Sequence, residues 1–153
     1  MRKLLTLMLV VFAASVSSTV FAGTPINQSE LPKAAQTFIA KYFADDQVRK
    51  AEKDNGYRGV EYEVDFVSGA EVEFKSDGDW KEVKAARGNS VPSAIVPFAI
   101  AKYVDSNFKG LTIVEIARKR GGYEVELSNG TELKLTQDAK PMQPRQGGKG
   151  HRR

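Results

Sequence analysis

Residues 62–79 read YEVDFVSGAEVEFKSDGD, and residues 123–140 read YEVELSNGTELKLTQDAK. The offset is a constant 61 residues. Tyr62, Glu63, Val64, Gly69, Glu71 and Asp77 recur as Tyr123, Glu124, Val125, Gly130, Glu132 and Asp138. Upstream, Ile39-Ala40-Lys41-Tyr42 recurs at the same offset as Ile100-Ala101-Lys102-Tyr103. A repeated unit specifies architecture before any single residue does. Within the unit, Val60, Tyr62, Val64 and Phe66 alternate with Glu61, Glu63 and Asp65, the period of a strand with one apolar face. Val72 and Phe74 alternate with Glu71, Glu73 and Lys75 in the same way.

Working outward, Leu31, Ala34, Ala35, Phe38, Ile39 and Tyr42 form one apolar helical stripe behind Leu31-Pro32. That helix is expected to end near Ala44. A short strand, Val48–Lys53, and a longer hairpin loop, Asn55–Gly59, should lead into a strand at Val60–Val67. Ser68-Gly69 reads as a two-residue hairpin turn and Asp77-Gly78 as another. A last strand is expected at Trp80–Lys84. The second copy opens with Val91-Pro92 and a helix to about Asn107. Pro97 falls inside it, beside a one-residue insertion, and predicts a kink, a bulge or a restart. Strands are then expected at Leu111–Arg120, Gly122–Ser128 and Thr131–Gln137, with Asn129-Gly130 as a strong hairpin signal. Gly121-Gly122 replaces the longer loop of the first copy, and Pro141 stands where Trp80 stood.

The fold class is therefore α+β. Two tandem helix-plus-antiparallel-meander units are expected, with helices packed on one face of an antiparallel sheet. The divisions are a signal peptide at 1–22, a polar lead at 23–30, a first unit at 31–84 and a linker at 85–90. A second unit follows at 91–141 and a basic tail at 142–153. The tail has no apolar periodicity, and its composition predicts disorder. The signal peptide rests on Arg2 and Lys3, an apolar run from Leu4 to Ala14, and small residues at Val20-Phe21-Ala22. The run is too short to span a bilayer. Cleavage near Ala22 would leave a periplasmic or secreted chain of 131 residues.

The whole chain is basic, with net charge +4. Setting aside Arg2, Lys3 and the five cations from Lys140 onward leaves 16 Lys+Arg against 19 Asp+Glu, a net of −3 for residues 23–139. That is an acidic body with a basic tail, and no nucleic-acid-binding stripe. There is no Cys, so an exported chain of this kind must rely on its core. The one His, His151, lies in the tail. Without Cys or a His in the body, neither a His-based triad nor a His/Cys metal site can be assembled there.

The order of these elements is similar to the PepSY-like family, described as beta-lactamase-inhibitor-like. The pattern that carries the resemblance is (L/V)-P, an amphipathic helix ending near K-Y, then Y-E-V, G-x-E and a turn Asp, over residues 31–140. The resemblance implies an exported binding or inhibitory protein, with no catalytic residue and no cofactor to carry over. Its partner would be another envelope or secreted protein. Separately from the resemblance, the basic charges of the tail allow weak, salt-sensitive contact with anionic surfaces.

Candidate partner-binding residues are Tyr57 and Arg58 in the first copy's loop, Glu61, Glu63, Asp65, Glu71 and Glu73 on the polar strand face, and Trp80. Trp80 reads either as core or as an exposed anchor. Glu124, Glu126 and Glu132 continue the polar face in the second copy. Strand alternation alone accounts for these carboxylates, so a carboxylate-dependent hydrolase has little behind it. Like charges across a ladder are unfavourable, however, and a cation or ligand that compensates them is the alternative function. Asp77-Gly78-Asp79 lacks the spaced oxygen ligands of a calcium loop and reads as a β-turn.

Overall fold

The computed structural model describes residues 23–57 and 59–142. The expected signal peptide, Arg58 and residues 143–153 lie outside the described residues. Among the described residues, eight strands form one open antiparallel sheet in strict chain order: β1 (Thr24–Pro25), β2 (Val48–Gly56), β3 (Gly59–Phe66), β4 (Glu71–Lys75), β5 (Trp80–Lys84), β6 (Ile113–Lys119), β7 (Gly122–Leu127) and β8 (Glu132–Thr136). The same residues form two α-helices, α1 (Lys33–Tyr42) and α2 (Phe98–Asn107).

One apolar cluster spans the protein. Val64, Val72, Val83, Ile116 and Val125 are directly paired across β3 to β7 and lie in its centre. Ala35 and Ile39 of α1 and Ile100 and Val104 of α2 join the same cluster. Aromatic rings lock α1 down: Phe38 meets Phe74 edge-on at 5.5 Å, and Phe43, just past the helix, stacks on Phe66 at 4.5 Å. The two halves of the sequence are joined through β5 and β6, where Val83 faces Ile116.

A single turn geometry explains most of the hairpins. Gly69 N–H donates to Phe66 O and Phe66 N–H to Ala70 O. The same pair of bonds closes Lys75–Asp79, Leu127–Thr131 and Thr136–Lys140. Each turn ends on a positive φ, at Gly69, Gly78, Gly130 and Ala139. This is a three-residue hairpin with a left-handed third residue, not the two-residue turn expected.

Other expectations also shift. Asn55 and Gly56 belong to β2, and Gly56 pairs with Gly59. The longer loop of the first copy is thus a longer ladder, with Tyr57 at its tip. Its alternation was too weak to read because Lys53-Asp54-Asn55-Gly56 carries no apolar residue. The second helix does not start behind Val91-Pro92. Residues 92–96 make short turns, and Pro97 caps α2, which therefore begins at Phe98. Missing its N–H, Pro97 stops the helix from extending backward and serves at its start. In the polar lead, Thr24 and Pro25 pair with Lys53 and Glu52. Met142, assigned to the disordered tail, is held by a bond from its N–H to Lys134 O at 2.8 Å.

Candidate functional site

The sheet face opposite the helices carries two files of charge. Glu52, Glu63, Glu73 and Glu82 stand in direct register on β2, β3, β4 and β5. The file continues through Ala117 and Glu124 to Lys134. Beside it run Lys50, Asp65, Glu71, Lys84, Glu115, Glu126 and Glu132. Neighbouring strands lie about 4.8 Å apart, so four glutamates in one file oppose each other at close quarters.

Cations relieve part of this. Lys81 Nζ lies 2.7 Å from Glu61 Oε2 and 3.0 Å from Glu73 Oε2. Lys50 pairs with Glu52 at 2.9 Å, Arg49 with Asp65 at 3.1 Å and Lys84 with Glu71 at 3.3 Å. Lys134 donates to Glu124 at 3.0 Å and, with Lys119, holds that carboxyl below its ordinary range. Among the described residues, Glu63, Glu115, Glu126 and Glu132 make no ion pair. Burial, reinforced by Asp65 and Glu73, pushes the Glu63 carboxyl up to about 7. Burial, reinforced by Glu82 and Glu126, does the same to Glu115, also to about 7. Glu82 is raised as well, by burial and then by Glu73.

The structure thus brings Glu61, Glu63, Asp65, Glu71 and Glu73 together on one face. Tyr57 is 95% exposed at the far tip of the β2–β3 hairpin. Trp80 is elsewhere: it is 7% exposed on the core side, with the Arg118 guanidinium 4.0 Å above its ring. Sequence reasoning missed Glu52, Glu82 and Glu115. Glu115 was open to simple alternation along β6. Glu82 was not, because alternation from Trp80 would point it inward. A bulge between Glu73 and Phe74 on the β4–β5 ladder turns both Lys81 and Glu82 outward.

Among the described residues, no group of three or more His, Cys, Asp or Glu side chains converges to hold a metal ion. A cleft of about 390 Å³ lies between the end of α1 and residues 85–92. Its Asp46 is engaged in structure, accepting hydrogen bonds from the Ser68 backbone N–H and hydroxyl. No helix among the described residues is long and apolar enough to cross a membrane.

A profile of the family described as "Putative beta-lactamase-inhibitor-like, PepSY-like" matches residues 60–141. The chain belongs to the PepSY-like family. Among solved structures, a protein from Bacteroides vulgatus ATCC 8482 described as periplasmic and of the DUF2874 family is 36% identical. Its TM-score is 0.75, over 81% of this chain and 97% of that one. A Bacteroides thetaiotaomicron protein described as a "putative calcium-regulated periplasmic protein" is 39% identical, with TM-score 0.74, over 78% of this chain and 94% of that one. A third, also from Bacteroides vulgatus ATCC 8482 and described as periplasmic and of unknown function, is 33% identical, with TM-score 0.73, over 78% and 98%. No curated protein matches the chain. PepSY-like membership agrees with the resemblance carried by the order of elements in the sequence.

Proposed function

We propose that this PepSY-like chain is an exported, non-enzymatic binding module built from two tandem units, which meets a basic surface of another envelope protein through its acidic sheet face. The observation that carries this is the file Glu52–Glu63–Glu73–Glu82, four carboxylates in register on adjacent strands. A fold does not place like charges opposite each other without cost, and a cationic partner would recover that cost on binding. The spread of the charge suits a partner with several Lys or Arg residues better than a single ion. Periplasmic neighbours support the compartment, and the inhibitor-like family supports a protein partner.

The calcium in the description of the Bacteroides thetaiotaomicron relative favours a second reading, a cation sensor on the same face. Calorimetry with the full chain separates the two, using an extended oligoarginine peptide and calcium as separate titrants. Peptide binding that weakens with salt, and about tenfold on the double change Glu63→Gln with Glu73→Gln, supports the first reading. Heat from calcium alone, lost in the same variant, would transfer the site to the second. No binding of either would overturn both.

A further inference from the structure

From β2 to β8, every neighbouring pair of strands but one is a hairpin. The exception is β5–β6, where residues 85–112, with α2 among them, intervene. This ladder is the seam between the two copies of the repeat. Among the described residues it is also the shortest of the set: Glu82 faces Ala117, Val83 faces Ile116 and Lys84 faces Glu115. A strand pair with no turn lacks the short covalent link that brings two strands back together, so the sheet parts most readily here.

Val83 and Ile116, both fully buried, close the seam on the core side. On the opposite face Glu82 and Glu115 meet on a diagonal of the same ladder, and their carboxyl groups are hydrogen-bonded to each other. Two carboxylates offer only acceptors, so this bond requires a proton on one of them. The surroundings decide which. Glu82 faces Glu73 on β4 but has two cations near it: Lys119 at 3.8 Å, shared with Glu124 on β7, and Lys81, shared with Glu61 and Glu73. Glu115 faces Glu126 on β7. Its direct partner Lys84 is drawn toward Glu71 on β4, at 3.3 Å, and Arg87 lines the hollow beside it without an ion pair among the described residues. Glu115 therefore carries the proton and donates it to Glu82.

We propose that Glu82 and Glu115 are a proton-operated latch on the β5–β6 seam: one shared proton holds the two strands together, and its loss lets them open locally while the rest of the sheet stays paired. On release the Glu115 O–H bond breaks, the proton leaves to water, and two neighbouring carboxylates remain. Glu115 lines an open hollow of about 360 Å³ with Lys84, Glu126 and residues 85–89, so water reaches the pair. Burial, then Glu82 and Glu126, pushes the Glu115 carboxyl up to about 7. Raised above its ordinary 4.5, it stabilises the seam fully below that value and stops doing so as pH rises through about 7. The latch is shut in acid and released above neutrality, whatever the acidic face binds.

Two NMR measurements on the full chain test the latch. In a carboxyl ¹³C titration, Glu82 and Glu115 should shift together near pH 7. Glu82→Gln keeps the shape, and its amide donates to the Glu115 carboxylate, so the Glu115 midpoint should fall by about one pH unit while that of Glu63 stays in place. A Glu115 midpoint that does not move would overturn the shared proton. Amide exchange reads the opening. Ala85 N–H donates to Val114 O across the seam, and N–H groups two residues apart on a strand point the same way, so those of Val83 and Ile116 cross it too. Glu115→Gln supplies Glu82 with a permanent donor. At pH 8 it should slow exchange at Val83, Ala85 and Ile116 about tenfold, and at pH 5.5 by less than about twofold. Glu63→Gln removes a titrating carboxyl away from the seam and should leave these three amides unchanged at pH 8. Equal slowing by both variants would mean that the seam opens only when the whole chain unfolds, and would overturn the latch. So would no slowing by Glu115→Gln at pH 8.

Discussion

Glu63 on β3 and Glu73 on β4 stand directly opposite each other, and only Glu73 has a cation: Lys81 lies 3.0 Å from Glu73 and makes no ion pair with Glu63. Burial first, then Asp65 and the unrelieved repulsion from Glu73, pushes the Glu63 carboxyl up to about 7.

The pH dependence follows in sign. Glu63 and Glu115 bind protons more tightly in the folded chain, at about 7, than at their ordinary value of 4.5. The stability they contribute is complete below about 4.5 and is lost as pH rises through about 7. Melting temperature should therefore rise when pH is lowered from 8 to 5.5. Glu63→Gln should melt higher than the native chain at pH 8, and its gain on acidification should be smaller. A Glu63→Gln chain that melts at or below the native temperature at pH 8 would contradict this origin.

Lys81 is the cation that makes the file tolerable. Lys81→Met leaves Glu73 between Glu63 and Glu82 and takes from Glu61 and Glu73 their shared partner. Loss of a partly exposed pair of bridges is expected to cost about 1 kcal/mol at pH 8. The cost should shrink at pH 5, where Glu63 is protonated and the repulsion in the file is weaker. Urea unfolding at the two pH values checks both the loss and its direction.

The repeat made the fold largely legible. Alternation at Glu71–Lys75 marked β4 at its observed limits, and the Asp77-Gly78 turn before Trp80–Lys84 marked β5 at its own. The charged half of β2 escaped, since Lys53-Asp54-Asn55-Gly56 has no apolar residue to show its period. The carboxylates of β3 and β4 were read as one face. Their files were not, because register between strands depends on turn geometry and bulges, and a one-residue bulge sent Glu82 to the face opposite the one alternation assigns.

Gly122 tests how tightly β7 and β8 approach. A Cβ there would lie 2.0 Å from Leu135 O and 2.7 Å from Met142 Cε. Backbone oxygen cannot move aside as a side chain can, so Gly122→Ala should cost about 3 kcal/mol or prevent folding. Gly130→Ala is the control: its φ of +82° is strained, but a Cβ meets nothing within 4 Å. It should cost only about 1 to 2 kcal/mol. Equal losses in chemical denaturation would mean that φ, and not the close approach, governs both sites.

Trp80 and Arg118 separate core packing from surface charge. The ring is buried, and the guanidinium covers it at 4.0 Å while reaching Asp79 only at 3.9 Å. Arg118 Nε is buried and has no hydrogen-bond partner among the described residues, which offsets part of what the ring contact contributes. Arg118→Met keeps the apolar stem over the ring and removes the unpaired donor, so its net cost should stay within about 1 kcal/mol. Trp80→Ala empties a core position and should cost about 3 to 5 kcal/mol. Circular dichroism during urea unfolding compares the two, since the second variant has no tryptophan left to fluoresce. Comparable losses would show that the cation, rather than the buried ring, holds β5 and β6 together at this end.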